Sequence, residues 1–106
     1  DGTQFRDFVH VQDVVNANIM SMDNDIASGF FNVGTNTSIT ILELAKNIIE
    51  YSKLDMKPIF EPALKGDVHG TIANIDLIRK KIGWKPSIML IDWVKDIISS
   101  KKFNEV

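Results

Sequence analysis

Arginine is scarce in this chain: Arg6 and Arg79 stand against ten lysines. Arg6 directly precedes Asp7 inside the run Phe5 to Val11. A planar guanidinium presents a fork of donors that grips paired oxygens, which suits it to a diphosphate. The same fork closes a surface ion pair with a nearby carboxylate, and the residues alone leave both readings open. A second set of polar side chains falls much later, where Lys65, Asp67 and His69 share one loop with Gly66 and Gly70. Asp67 reads either as a carboxylate that accepts from ligand hydroxyls or as a turn residue bonding its own backbone. His69 reads as a basic group when protonated or as a solvated loop side chain.

Much other chemistry is missing from the sequence. The glycines stand at 2, 29, 34, 66, 70 and 83, and no pair of them makes Gly-x-Gly or Gly-x-x-Gly. There is therefore no dinucleotide fingerprint. Gly-Lys-Ser/Thr and Gly-x-Ser-x-Gly are also absent, which removes the phosphate loop and the nucleophile elbow. The one tyrosine, Tyr51, is followed four residues on by Asp55 rather than Lys. Cysteine is absent, which excludes disulfides and thiol catalysis. His10 and His69 are too isolated for a convincing metal cluster. The chain does not by itself carry a complete set of parts for a reaction.

These groups must be positioned by a folded body. The chain has 106 residues, 44% hydrophobic and 25% charged, with a net charge of −2. That suffices for one domain, or a piece of a larger one, and argues against disorder. The lysines are dispersed, so no nucleic-acid or anionic-membrane partner is expected. The longest uninterrupted apolar run, Ile88 to Ile91, is far too short to span a bilayer. A cysteine-free chain fits a reducing cytoplasm, and a cytoplasmic location is expected.

The pattern predicts an α/β fold of short strands alternating with helices. Phe5 to Val11 reads as a strand. A helix follows, capped by Asp13, with Val11, Val15, Ile19 and Met22 on one buried stripe. Phe30 to Val33 reads as a buried strand between Gly29 and Gly34. Thr40 and Glu43 form a capping box for a helix to about Ser52, with Ile41, Leu44, Ala45 and Ile48 turned inward. Pro58 to Pro62 reads as an edge strand. Asp76 to Ile82 reads as a short helix closed by Gly83, with Trp84 as an apolar plug behind it. Ile88 to about Ser99 reads as a last helix facing inward through Leu90, Val94, Ile97 and Ile98, with Trp93 half exposed. Lys101 to Val106 is expected to fray. Parallel pairing is expected among the strands, yet three short strands cannot fill a sheet with helices on both faces. Something else should pair with them.

Several segments together resemble one family. Asp1 to Val15 resembles the Gly-x-x-x-x-Arg-Asp-Phe/Tyr-Val-Tyr/His-Val-x-Asp segment of the extended short-chain dehydrogenases/reductases. These are the NAD-dependent nucleotide-sugar epimerases and dehydratases, with UDP-glucose 4-epimerase as type member. Phe31 to Thr35, Ser38 to Ala45, Lys65 to Val68, Ala73 to Asp76 and Gly83 to Pro86 resemble later motifs of the same family in order. The resemblance covers about residues 1–100. It implies the C-terminal third of a Rossmann-type enzyme with its substrate-binding subdomain. Residues 1–106 are then a single nucleotide-sugar-binding piece, a C-terminal fragment or truncated product. The NAD-binding half and the catalytic Tyr-x-x-x-Lys lie outside it.

On that resemblance Arg6 contacts the diphosphate of a UDP- or dTDP-sugar and Asp67 lies at the ribose. Leu64 stands where the family usually has a second phosphate-binding Arg. Losing one charge-assisted bond weakens phosphate binding by roughly 1.5–3 kcal/mol, and Lys65 could replace it as a point charge. His69 could reach phosphate or ribose when protonated. Asp7 is expected to orient Arg6 or bind backbone, His10 to serve packing, and Asn32 to stabilise a turn. NAD is expected as cofactor of the larger enzyme, and none for this chain alone. Three functions follow as expectations: an enzyme fragment inactive alone, a free-standing module that binds sugar nucleotides, or a protein that self-associates through exposed strand edges, giving a homo-oligomer.

Overall fold

The fold is seen in a computed structural model that describes residues 1–25 and 28–100. In chain order, its elements are β1 (Phe5–Arg6), α1 (Val11–Met22), β2 (Ile39–Thr40), α2 (Ile41–Ser52), α3 (Asp76–Lys81) and α4 (Leu90–Ser99). The expected α/β class holds, with far less sheet than the sequence pattern predicts. β1 and β2 pair antiparallel, Phe5 opposite Thr40 and Arg6 opposite Ile39. Phe5 also makes one parallel bridge, to Gly70. The contact continues towards the N-terminus, where the amides of Ile41 and Leu42 donate to the carbonyls of Gln4 and Gly2 at 2.8 and 2.9 Å.

Three expected strands thus reduce to one short one. β1 stops at Arg6, and beyond it the Asp7 carboxylate takes over the work of a ladder. It accepts from the Thr35 amide at 2.9 Å, the Thr35 hydroxyl at 2.5 Å, and the amides of Asn36 and Ala73 at 3.1 Å each. One side chain so ties β1 to two distant loops. Asp7 binds backbone amides and makes no direct bond to Arg6. The 33–36 turn must come close for this. A Cβ at Gly34 would lie 2.5 Å from Ala73 Cβ and 2.8 Å from Asp7 Oδ2, so only glycine fits. Asn36 takes a left-handed φ of 59°, which asparagine tolerates better than most residues.

Phe30 to Val33 is neither a strand nor fully buried. No backbone hydrogen bond joins it to a described residue. Phe30 is 98% exposed, while Phe31 and Val33 lean on the core. Pro58 to Pro62 also forms no strand.

α1 departs most from the expected pattern. Its cap is His10, whose Nδ1 accepts from the Gln12 amide at 2.9 Å. Asp13 sits inside the helix and is one of the most buried side chains described. Its carboxylate accepts from the Ser87 hydroxyl at 2.9 Å and from the amides of Ser87 and Ile88 at 3.1 and 3.0 Å. Its carbonyl accepts from Trp84 Nε1 at 2.9 Å. These bonds fix the rotation of the helix, so that Asp13 and Ala17 face the core. Position 15 lies about 200° around the helix from position 13. The stripe Val11, Val15, Ile19 and Met22 is therefore exposed, Met22 by 82%.

The remaining helices follow their local signals. The Thr40–Glu43 capping box is complete. The C-cap Lys53 takes a left-handed φ of 59°. α2 buries no residue fully: Leu44 and Ala45 are half-buried, whereas Ile41 and Ile48 are exposed. The Gly83 amide bonds back to the carbonyls of Ile78 and Arg79, closing α3 at a φ of 81°. α4 buries Val94 and half-buries Leu90, Ile97 and Ile98. Ala17, Ile75, Ile78 and Trp84 form the core, with Phe31, Val33, Ala73 and Ile82 against it. Trp84 is the expected plug, and Trp93 is half exposed. The tail 101–106 lies outside the described residues.

Burial alone would raise the Asp13 carboxyl, but the Ile88 amide, the Ser87 hydroxyl and amide, and the charge of His10 outweigh it. The net displacement is below the ordinary 3.8. A carboxyl lowered in the folded state stabilises the fold above its unfolded value, and that contribution is lost as pH falls through the folded one. Stability measured by urea unfolding is predicted to hold above about pH 4 and to decline below it. Asp13→Asn is predicted to cost about 1–3 kcal/mol at pH 7 and to flatten part of that acid decline.

Candidate functional site

Alternation along the first extended segment puts Gln4 and Arg6 on one face. They meet the 61–70 loop there. Arg6 Nη2 donates to Asp67 Oδ1 at 2.7 Å and to the Val68 carbonyl, and Nη1 donates to the Phe5 carbonyl at 2.8 Å. The guanidinium is held in place by these three acceptors. The ion pair is partly open to solvent, with the Arg6 side chain 26% exposed and that of Asp67 37%. At that exposure it contributes little to stability.

The loop is anchored beside it through the Phe5 amide, which donates to the His69 carbonyl at 3.0 Å, and the Thr71 amide, which donates to the Phe5 carbonyl at 3.1 Å. Gly70 is required at this crossing, because a Cβ would meet the Phe5 ring at 2.1 Å. A cleft of about 340 Å³ opens between loop and strand, lined by Gln4, Arg6, Ile41, Pro62, Leu64 and Asp67, among others. Arg6 also borders a second cleft of about 310 Å³, on whose wall stand Phe8, Thr35, Ser38, Glu43 and Leu90.

Of the four residues expected at a site, Arg6 and Asp67 come into direct contact. Lys65 and His69 lie on the same loop, both exposed. Lys65 has no hydrogen bond or ion pair with a described residue, and the His69 ring meets the Phe5 ring edge-on at 5.8 Å. Leu64 lines the cleft and is 80% exposed, so the wall has no second arginine there. Asn32 is exposed. His10 caps α1 and touches Trp93 edge-on at 6.0 Å. Five lining residues, Gln4, Ile41, Glu61, Pro62 and Ala63, were not marked for the site by the sequence. Gln4 had a usable signal, its two-residue spacing from Arg6. Glu61 and Ile41 reach the cleft only through the tertiary path of the chain.

The arrangement can hold an anion through Arg6 and accept hydrogen bonds from hydroxyls through Asp67. The N-terminus of α1 is closed by His10, that of α2 by the capping box, and α4 carries Asp92 in its first turn. Among the described residues no helix starts directly behind a glycine turn, the arrangement that receives a pyrophosphate in dinucleotide folds. Among the described residues, no group of three His, Cys, Asp or Glu could hold a metal ion. No described helix is long and apolar enough to cross a membrane.

Residues 1–34 match the sequence profile of the NAD dependent epimerase/dehydratase family. UDP-glucose 4-epimerase of Rhizobium leguminosarum bv. trifolii is 32% identical over 98 residues, which is 90% of this chain and 30% of that protein. The fold superposes on the crystal structure of UDP-glucose 4-epimerase from Thermotoga maritima, which contains UDP-glucose. The TM-score is 0.89 at 32% identity, covering 100% of this chain and 34% of that one. The first third of the chain carries the sequence of the NAD dependent epimerase/dehydratase family, and the remainder follows UDP-glucose 4-epimerases in sequence and fold. The chain is also similar to dTDP-4-dehydro-6-deoxyglucose reductase of Escherichia coli, 30% identical over 97 residues, 90% of this chain and 30% of that protein. The chain thus spans about a third of the length of the curated relatives it matches.

Proposed function

We propose that these residues form the nucleotide-sugar-binding wall of an NAD-dependent epimerase or dehydratase, with Arg6 gripping the diphosphate. The observation that carries this reading is the guanidinium itself. It is fixed by two backbone carbonyls and Asp67 at the edge of an open cleft, on a chain similar to an enzyme whose crystal structure contains UDP-glucose. Asp67 is placed to accept from ribose hydroxyls beside it. Lys65 and His69 are near enough in the loop to add charge but supply no fixed contact. NAD and the proton-transferring tyrosine belong, on this reading, to a dinucleotide-binding half with no counterpart in residues 1–106. The chain alone therefore binds but does not turn over.

The exposed side of α1 supports the same division. The one charged residue of α1, Asp13, is buried, so the helix shows solvent Val11, Val15, Ile19 and Met22 without a formal charge. A dinucleotide-binding half would cover this face. Without it, two copies of the chain meet there with no like-charge repulsion, and apolar burial drives the pairing.

Three measurements follow. Calorimetric titration with UDP is predicted to show binding that weakens about tenfold or more in Arg6→Ala, the loss of one charge-assisted contact; equal affinity in the two proteins would remove Arg6 from the site. UDP-glucose with added NAD is predicted to stay unconverted. In sedimentation the chain is predicted to run above its monomer mass, and Ile19→Lys to return it to monomer. A wild-type chain that stays monomeric at high concentration would contradict self-association.

A further inference from the structure

Every residue from 61 to 69 is exposed, and the loop is held by very little. Its own turn supplies one bond, from the Asp67 amide to the Leu64 carbonyl at 3.1 Å. Its end is pinned where the Phe5 amide donates to the His69 carbonyl. Between those points Arg6 alone reaches across, bonding the Asp67 carboxylate and the Val68 carbonyl with one nitrogen. No other hydrogen bond or ion pair joins residues 61–68 to the described remainder. The same guanidinium lines the cleft that the loop walls. One group so performs two tasks that compete, since an anion entering the cleft and Asp67 both seek the same donors.

We propose that the Arg6–Asp67 pair is an anion-released latch: with the cleft empty it straps the 61–69 loop onto β1, and a phosphate group that takes over the guanidinium frees the strap. The proposal rests on the nucleotide-sugar reading only for the identity of the anion; the strap itself rests on the contacts. Gly66, at a φ of 85° with open space around it, supplies the bend, and Gly70 against the Phe5 ring is the fixed end about which the strap moves. Leu64 and Val68, both largely exposed, give the strap no apolar anchor to replace the lost ion pair. Asp67 on this account is a positioning residue for Arg6 and for the loop.

Trypsin reads the strap directly. Lys65 is the one Lys or Arg between Lys57 and Arg79, and Lys57 precedes Pro58, a bond trypsin cuts poorly. Cleavage after Lys65 is predicted to be about threefold faster in Asp67→Asn than in wild type, the scale of one exposed ion pair. Asp67→Glu, which keeps the carboxylate, is predicted to restore slow cleavage. Cleavage within α3 at Arg79 and Lys80 serves as the control for general unfolding and is predicted not to change. Inorganic pyrophosphate, and separately UDP, are predicted to speed cleavage after Lys65 in wild type and to leave Asp67→Asn unaltered. Equal rates in wild type and Asp67→Asn without ligand would overturn the latch whatever the ligand does. Slower cleavage of wild type on adding UDP would also overturn it, because the loop would then be closing over its ligand. Fast cleavage of Asp67→Asn together with no heat of UDP binding by wild type would uphold the strap and overturn the nucleotide-sugar reading alone.

Discussion

A single carboxylate does for this fold what a sheet does for most α/β proteins. Asp7 collects the Thr35 amide and hydroxyl and the amides of Asn36 and Ala73. It thereby joins β1 to segments 28, 29 and 66 residues away in sequence. With two strands of two residues each, there is almost no ladder to share this task. The neighbours of Asp7 extend the scheme. Arg6 reaches the 61–70 loop, His10 caps α1, and Asp13 anchors the approach to α4. Buried carboxylates that accept several bonds are costly to disturb, since each donor left without a partner loses its compensation for desolvation. The candidate site inherits its geometry from this segment. Arg6 faces the cleft because Asp7, one residue on, is fixed on the other side of the backbone.

What was legible in the sequence divides along the range of the signal. The capping box at Thr40 and Glu43, the stop at Gly83 and the plug at Trp84 are local. Each needs only its own few residues, and each is where the pattern put it. The rotation of α1 was not legible. Apolar periodicity marked Val11, Val15, Ile19 and Met22 as the buried face, because it counts hydrophobic side chains and cannot see that Ser87 and Ile88 wait with three donors for Asp13. The strands failed for a related reason. Alternation shows that Phe5 to Val11 and Phe30 to Val33 can extend; it does not supply a neighbour for them to pair with.

The site was legible in residue type and only partly in arrangement. Scarcity singled out Arg6, and the glycines marked the loop that carries Asp67. Their ion pair spans 61 residues and follows from the Phe5 crossing at Gly70, which no local pattern encodes. The two open readings of Arg6, ion pair and anion grip, turn out to concern one geometry: the carboxylate that occupies the guanidinium also borders the cleft. Exposed Phe30 and the uncharged side of α1 fit the same picture, in which the relatives carry about twice as much further chain around this unit.

The most direct test uses the fact that only two arginines are present. The side-chain Nε–H resonances of Arg6 and Arg79 can be followed by nitrogen-15 NMR while UDP is added to the chain. An anion seated on Arg6 predicts a saturable shift of that resonance, with Arg79, on α3 away from the cleft, unmoved. Saturable shifts confined to other groups, such as Trp93 and the residues around it, with Arg6 unchanged, would contradict the account.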